Sequence, residues 1–325
     1  MLTAFLCLIF LFIAFFFVGL PKETGGIRWG VNFSQEHAEK LGLDWKETYL
    51  ALLDDLGAKK IKIAVPWDLL EPEQGTFDFK DLDWQIQKAK ERGVSVLLAI
   101  GMKTPRWPEC HIPEWAKGLT EKEQKQRVLK AVEKTVLRYG EEESVWAWQA
   151  ENEPFFKFGE CPWEIDKEFL EKEISLIKEK DSLERPVIVT GSGEFSLWLK
   201  PARMGDIAGV TLYRKVWLKE LKSYFTHLFP PVFYGRRAKL INWIFDKEVV
   251  CVELQAEPWT PSLIYNSTLK EQEKTMDLEQ FKKNVNFAKS TGLKEFYFWG
   301  GEWWFWLKEK KGKPEIWQTA RKMFQ

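Results

Sequence analysis

Short apolar runs alternate with longer amphipathic segments along most of the chain, which predicts a repeated strand–helix plan. Eight runs read as strands: Arg28–Phe33, Lys60–Val65, Val94–Ile100, Val145–Ala150, Pro186–Thr190, Ile207–Tyr213, Val249–Glu253 and Glu295–Trp299. Each is short and rich in β-branched or aromatic residues, as befits strands buried on both faces. The intervening helices have legible ends. Asp44 caps a helix that sets Trp45, Tyr49, Leu52, Leu53 and Leu56 on one face, Glu47 completes a capping-box pattern, and Gly57 stops it. Thr120 with Glu123 opens a second helix, ended by Gly140, and Asp277 with Gln280 opens a third, ended by Gly292. The charged faces of these helices read as solvated outer surface.

Eight strand–helix units in about 300 residues predict a closed α/β barrel, the (β/α)8 TIM fold, over residues 21–325. An open doubly wound sheet is the alternative. Gly191-Ser192-Gly193 follows a strand, but Ser196 stands where a dinucleotide fingerprint needs its third glycine, so this segment reads as a plain βα turn.

One apolar run does not fit the repeat. Met1–Leu20 carries no charged side chain and is long enough to cross a bilayer as a helix. It reads as a signal peptide or membrane anchor. The lack of a basic residue before it and of a small-x-small cleavage site favours an uncleaved anchor. Either way, the rest of the chain is expected to work outside the cytoplasm, attached to the membrane or secreted.

Composition narrows the function. Lys plus Arg and Asp plus Glu both number 48, so there is no net charge and no concentrated basic stripe to attract nucleic acid. The 18 Trp and 24 Phe exceed what a core obviously needs and suggest flat ligand platforms, sugars among them. The spacing of the four cysteines and three histidines offers no zinc motif. An oxidising compartment permits a Cys110–Cys161 disulfide between two predicted loops, although spacing alone does not establish the pairing. Asn32-Phe33-Ser34 and Asn266-Ser267-Thr268 match the N-glycosylation pattern.

In a barrel, catalytic groups gather at the C-terminal ends of the strands. The fourth predicted strand ends in Glu151, Asn152, Glu153 and Pro154. The seventh ends at Glu253, with Glu257 four residues on, and Glu302 follows the eighth. Two carboxyl groups about 5–5.5 Å apart can cleave a glycosidic bond with retention, one as acid/base and one as nucleophile. Glu153 and Glu253 are the candidates for that pair. Glu151 reads as a structural neighbour, Glu257 as a competitor for the nucleophile's role, and Glu302 as a substrate hydrogen-bonding group or an ordinary loop acid.

A resemblance sharpens this. Trp148-Gln149-Ala150-Glu151-Asn152-Glu153-Pro154 resembles the Asn-Glu-Pro motif that closes the fourth strand in clan A glycoside hydrolases, which include the family-five cellulase-like enzymes. The resemblance implies Glu153 as acid/base and Asn152 as holder of the sugar 2-hydroxyl. Cys251-Val252-Glu253 falls where the clan's nucleophile lies, and Tyr213 where a tyrosine commonly bonds it. Trp299 matches the aromatic floor beneath the sugar, and Glu71–Asp78, after Trp67, resembles the segment following the second strand. The similarity runs in order over nearly all of Ile27–Phe324. One position departs: the clan commonly has an arginine on the second strand, and Lys62 stands there as a point charge without the guanidinium fork. Trp29, Trp67, Trp107, Trp259 and Trp303 are candidate sugar platforms, packing being the alternative. His111 reads as a structural loop residue.

The expectation is a retaining, endoglucanase- or cellulase-like glycosidase acting on a β-linked oligo- or polysaccharide, needing neither metal nor organic cofactor. A non-catalytic carbohydrate-binding barrel is the second reading, favoured by Lys62. A metal-assisted enolising barrel is the third, for which no set of acidic ligands with a Lys or His base can be assembled.

Overall fold

The computed structural model describes residues 14–19 and 25–325. Its strands are β1 (Arg28–Phe33), β2 (Lys60–Ala64), β3 (Ser95–Ile100), β4 (Val145–Ala150), β5 (Val187–Gly191), β6 (Ile207–Leu212), β7 (Lys215–Leu218), β8 (Ser223–Thr226), β9 (Val249–Gln255) and β10 (Glu295–Trp299). Eight of them close a barrel in the order β1-β10-β9-β6-β5-β4-β3-β2, every pairing parallel, which is a TIM barrel. All eight predicted strands are present, with shifts of one or two residues at several ends. The antiparallel hairpin β7–β8, between the sixth and seventh barrel strands, was not anticipated. Its first strand is held by Gln255, whose Oε1 accepts from Lys215 N (2.9 Å) and whose Nε2 donates to Lys215 O (2.6 Å).

Local chemistry explains the helix starts. The Asp44 carboxylate accepts from Glu47 N, Asp277 accepts from Gln280 N, and Thr120 with Glu123 forms a complete reciprocal capping box. Two apolar layers follow from strand alternation. Leu97, Ala147, Ile188, Val250, Val252 and Tyr297 fill the barrel interior, while the other faces of the strands pack beneath the helices. Gly193 does serve a tight βα turn: a Cβ there would fall 1.6 Å from the Thr211 carbonyl oxygen, so no other residue fits without displacing β6.

Strand β9 departs from strict alternation. Cys251 pairs with Val210 on β6 and the next pair is Glu253 with Thr211. Against β10, Cys251 pairs with Phe296 and Leu254 with Phe298. One extra residue therefore sits on β9 relative to both neighbours, which is a bulge. With Val250 and Val252 inside the barrel, strict alternation would send Glu253 outward among the helices. The bulge reverses the parity and turns Glu253 inward. Asn32 on β1 stitches this point, donating from Nδ2 to the carbonyls of Val252 (3.0 Å) and Phe298 (3.1 Å). Asn32 is thereby enclosed in the barrel, so its match to the N-glycosylation pattern marks no accessible site in the folded chain.

Most of the apolar Met1–Leu20 stretch lies outside the described residues. Of the part described, residues 14–17 are helical, and Phe16 and Phe17 pack on Phe233 of the helix Pro231–Phe245. Among the described residues no helix is long and apolar enough to cross a membrane.

Candidate active site

Lys62 enters the barrel from β2, in register with Asn32 and Leu97, and its Nζ lies 3.0 Å from Glu253 Oε1. Lys62 is 1% and Glu253 3% exposed, so the pair is dry. The Tyr213 hydroxyl, one residue past β6, donates to the other oxygen, Glu253 Oε2, at 2.8 Å. Both carboxylate oxygens are thus held by donors.

Glu153 sits in a different electrostatic setting. Its backbone N–H donates to Thr190 Oγ1 (2.6 Å) on β5, and its Oε1 accepts from Thr211 Oγ1 (3.3 Å) on β6. Among the described residues no cation touches its carboxyl oxygens. Burial and the nearby charges of Glu253 and Glu109, only partly offset by Lys103, push its carboxyl up to about 8. The two glutamates meet around Thr211, which is the in-register partner of Glu253 and the hydrogen-bond donor to Glu153. Glu253 is thus held by a cation and a hydroxyl, while the surroundings of Glu153 favour its protonated form.

Asn152 is clasped on both sides of its amide: Gln149 Nε2 donates to its Oδ1 (3.2 Å), and its Nδ2 donates to Glu109 Oε2 (3.0 Å). Glu151 points away, its carboxylate accepting from the Met102 and Lys103 backbone N–H groups. Gly101, at φ 124°, is required there, since a Cβ would meet the Glu151 carboxyl at 2.4 Å. Burial pushes Glu151 up to about 7, and the enclosed Glu173 beside it higher still.

Glu257 and Glu302 meet at Arg106. One guanidinium nitrogen bonds Glu257 Oε1, and Nη2 lies 3.2 Å from Glu302 Oε2. Burial alone would raise Glu257, but Arg106 and His37 outweigh it and hold the carboxyl down at about 2. Glu257 is therefore bound in an ion pair with Arg106. Glu302 also accepts from the Ser34 backbone N–H. The same guanidinium lies 3.9 Å from the centre of the Trp299 ring, so one face of the expected sugar floor carries the protein's own cation.

Of the other tryptophans, Trp67 is a packing residue, contrary to the expectation of a platform: its Nε1 donates to Glu71, its ring packs edge-on against Trp115, and it is 1% exposed. Trp29 stacks on Phe298, and Trp303 is buried with its Nε1 on Gln272. Trp107 and Trp259 lie differently. Trp107, 40% exposed, packs on Phe158, Phe158 on Trp259, and Trp259 edge-on against Tyr213. An aromatic rail thus leads from Tyr213 out to solvent.

Three residues escaped the sequence reading: Lys103, Arg106 and Glu109, all in the loop after β3. Lys103 Nζ donates to the carbonyls of Glu153 (3.2 Å) and Phe156 (2.8 Å). The available signal was three charged residues in one loop past a strand's C-terminal end, flanking Cys110. That loop is tied to the loop after β4 by the Cys110–Cys161 disulfide, the pairing that spacing had left open. Arg106, Glu109, Glu151 and Glu153 all adopt positive φ (97°, 73°, 60° and 43°), half of the non-glycine residues that do so among those described. Such backbone is uncommon, and here it is concentrated in the two loops that frame the site. A cavity of about 660 Å³ adjoins these loops, with Lys103, Pro154, Phe156 and the disulfide in its wall. Among the described residues no group of three or more His, Cys, Asp or Glu side chains is arranged to hold a metal.

The chain is similar to several known proteins. A family model described as beta-galactosidase matches residues 39–126. The β-galactosidase Bga of Halorubrum lacusprofundi is 28% identical over 145 residues, which is 39% of this chain and 20% of that protein. The structure of a Halorubrum lacusprofundi β-galactosidase superposes with a TM-score of 0.56 at 17% identity, over 84% of this chain and 52% of the other. A GH5_18 protein of Bifidobacterium longum in complex with Manβ1-4GlcNAc superposes with a TM-score of 0.60 at 14% identity, over 84% of this chain and 68% of that one. The family model matches a segment of this chain, and the solved structures share its TIM-barrel fold. This chain spans one fifth of the curated relative and about half of the Halorubrum structure.

Proposed function

We propose that the protein is a retaining glycoside hydrolase acting on β-linked oligosaccharides or polysaccharides. The observation that carries this reading is the contrast in surroundings between two neighbouring carboxyls. Glu253 is clamped by Lys62 Nζ and the Tyr213 hydroxyl, while burial and the like charges of Glu253 and Glu109 drive Glu153 up to about 8. In the mechanism this supports, Glu153 gives its proton to the leaving oxygen as a Glu253 oxygen attacks the anomeric carbon. Glu153, now ionised, then takes a proton from the water that releases the glycosyl-enzyme. Lys62 performs the electrostatic part of the clan's arginine, which weakens the case for a non-catalytic barrel. The Trp107–Phe158–Trp259 rail offers apolar faces to sugars on the leaving-group side.

The β-galactosidases and the Manβ1-4GlcNAc-bound protein among the relatives make terminal β-galactosides and β-mannosides the first substrates to try, ahead of β-glucans. We also read Met1–Leu20 as an export or anchor segment. Its uncharged apolar length and the Cys110–Cys161 disulfide, a bond typical of oxidising compartments, support an extracytoplasmic location.

The test is turnover of aryl β-galactosides, β-mannosides, β-glucosides and β-glucans by the wild type, Glu153→Gln and Glu253→Gln. Turnover by the wild type, falling at least 10³-fold in both variants, is the expected result. No turnover on any substrate, or full activity in either variant, refutes the reading.

A further inference from the structure

The rings that lead outward from Tyr213 continue past Phe158, and nothing in the two-glutamate mechanism uses the remainder. Phe158 lies near-parallel to Phe156, their centroids 6.2 Å apart, and Phe156 stacks on Phe195 at 5.9 Å. Phe195 meets the His227 ring edge-on at 5.4 Å, and His227 adjoins Phe229. At the far end Phe229 packs on Phe17, which belongs to the apolar Met1–Leu20 stretch. A ribbon of rings from the loops after β4, β5 and β8 therefore joins the mouth of the site to the most apolar segment of the chain.

The ribbon is apolar and faces solvent. Phe195 is 66% exposed, and beside the ribbon in sequence Leu197 and Leu228 are 68% and 85% exposed. Lys157, between Phe156 and Phe158, turns its Nζ to Glu164 at 2.5 Å. Burial and the Arg214 charge push His227 down to about 4, so its ring is neutral at pH 7. Contiguous exposed apolar surface marks a place where a ligand, a partner or a membrane is bound. The chemistry next to it says which. Glu153 protonates the leaving oxygen, so the leaving group lies over the loop that follows Glu153, and that loop carries Phe156 and Phe158. A further sugar brings hydroxyls that need hydrogen-bond partners, whereas an alkyl chain needs only apolar area. Phe156, Phe195, Leu197 and Leu228 present apolar area. We propose that the substrate is a glycolipid, a β-glycoside whose alkyl or acyl tail lies along the ribbon towards Phe195 while its sugar is cleaved. The inference rests on the glycosidase reading above and narrows its leaving group.

The experiment uses the full chain and the ethyl, butyl and octyl β-glycosides of a sugar that the wild type hydrolyses, each below its micelle concentration. Full burial of a methylene is worth about fourfold in binding, so a chain lying on an open surface should gain about twofold per methylene. From ethyl to octyl, kcat/KM should then rise on the order of 50-fold, mostly through KM. Phe195→Ser should cut that rise roughly tenfold, the worth of about half a buried Phe side chain, while Phe195→Leu keeps most of it. A long-chain glycoside of the same sugar held in phosphatidylcholine vesicles should also be turned over. Turnover of the octyl glycoside alone, with none from vesicles, would exclude membrane glycolipids and overturn the inference. So would an equal rise with chain length in wild type and Phe195→Ser, since the tail would then lie elsewhere. Self-association of wild type that Phe195→Ser abolishes would assign the ribbon to a second copy of the chain, which also overturns it. Hydrolysis with no dependence on chain length would sink the glycolipid proposal and leave the mechanism standing. Absence of wild-type turnover on every glycoside would bring down both.

Discussion

Lys62 gives the sharpest test of how the site is held. In Lys62→Met the chain keeps a side chain of similar length but loses the cation bonded to the Glu253 carboxylate. At 3.0 Å the pair attracts by about 5–6 kcal/mol at an effective dielectric of about 20. Desolvation of both charges offsets much of that gain, so the pair itself adds little net stability. Removing one partner is different, because the remaining charge stays buried and unpaired, at a cost of about 3–5 kcal/mol. At roughly 2 °C per kcal/mol for a chain of this size, Tm should fall by about 6–10 °C. Replacing both charges, in Lys62→Met with Glu253→Gln, should recover most of the loss. The four-protein cycle, measured by denaturant unfolding at pH 7, should give a coupling of about 2 kcal/mol or more. The deficit of the single variant should shrink as pH falls, because protonation relieves the stranded carboxylate. A single variant within about 1 kcal/mol of wild type, or strict additivity in the cycle, would refute the view that Lys62 exists to hold that charge.

Three further outcomes are expected. Glu153 binds its proton far more tightly folded, at about 8, than in the unfolded chain, near 4.5, so its contribution is lost as pH rises through that window. Glu153→Gln should therefore be more stable than wild type at pH 8 by on the order of a few kcal/mol and gain little at pH 4.5; an equal difference at both pH values would contradict this. Tyr213→Phe removes the 2.8 Å donor to Glu253 Oε2 and should lower kcat/KM by about 10- to 100-fold with a near-native Tm; unchanged kinetics would exclude a role for that hydroxyl. Cys110→Ala with Cys161→Ala opens a loop of sequence separation 51 and should cost up to about 4 kcal/mol in unfolding experiments under oxidising conditions. Full stability in that variant would mean the two loops are held together by their other contacts.

Much of the architecture was legible from local pattern. Strand and helix periodicity depend on near neighbours, so the eight barrel strands and the caps at Asp44, Thr120 and Asp277 could be read directly. Asn152 and Glu153 were also legible, because a short motif places them past the end of one strand. The loop after β3 carried no such motif. Arg106 and Glu109 became visible only when folding brought them to partners far along the chain: Glu257 and Glu302 for one, Asn152 for the other. Trp67 was misplaced for the same reason, since burial is a property of what packs around a residue.

Glu253 marks the boundary most clearly. Its presence near the end of a buried strand is written in the sequence, but its direction is not. By simple alternation after Val250 and Val252 it would face the helices. The extra residue on β9, measurable only against the registers of β6 and β10, turns it into the barrel beside Lys62. Alternation is a local rule that the chain carries by itself. Register is a relation between strands, and here it was decided when the barrel closed.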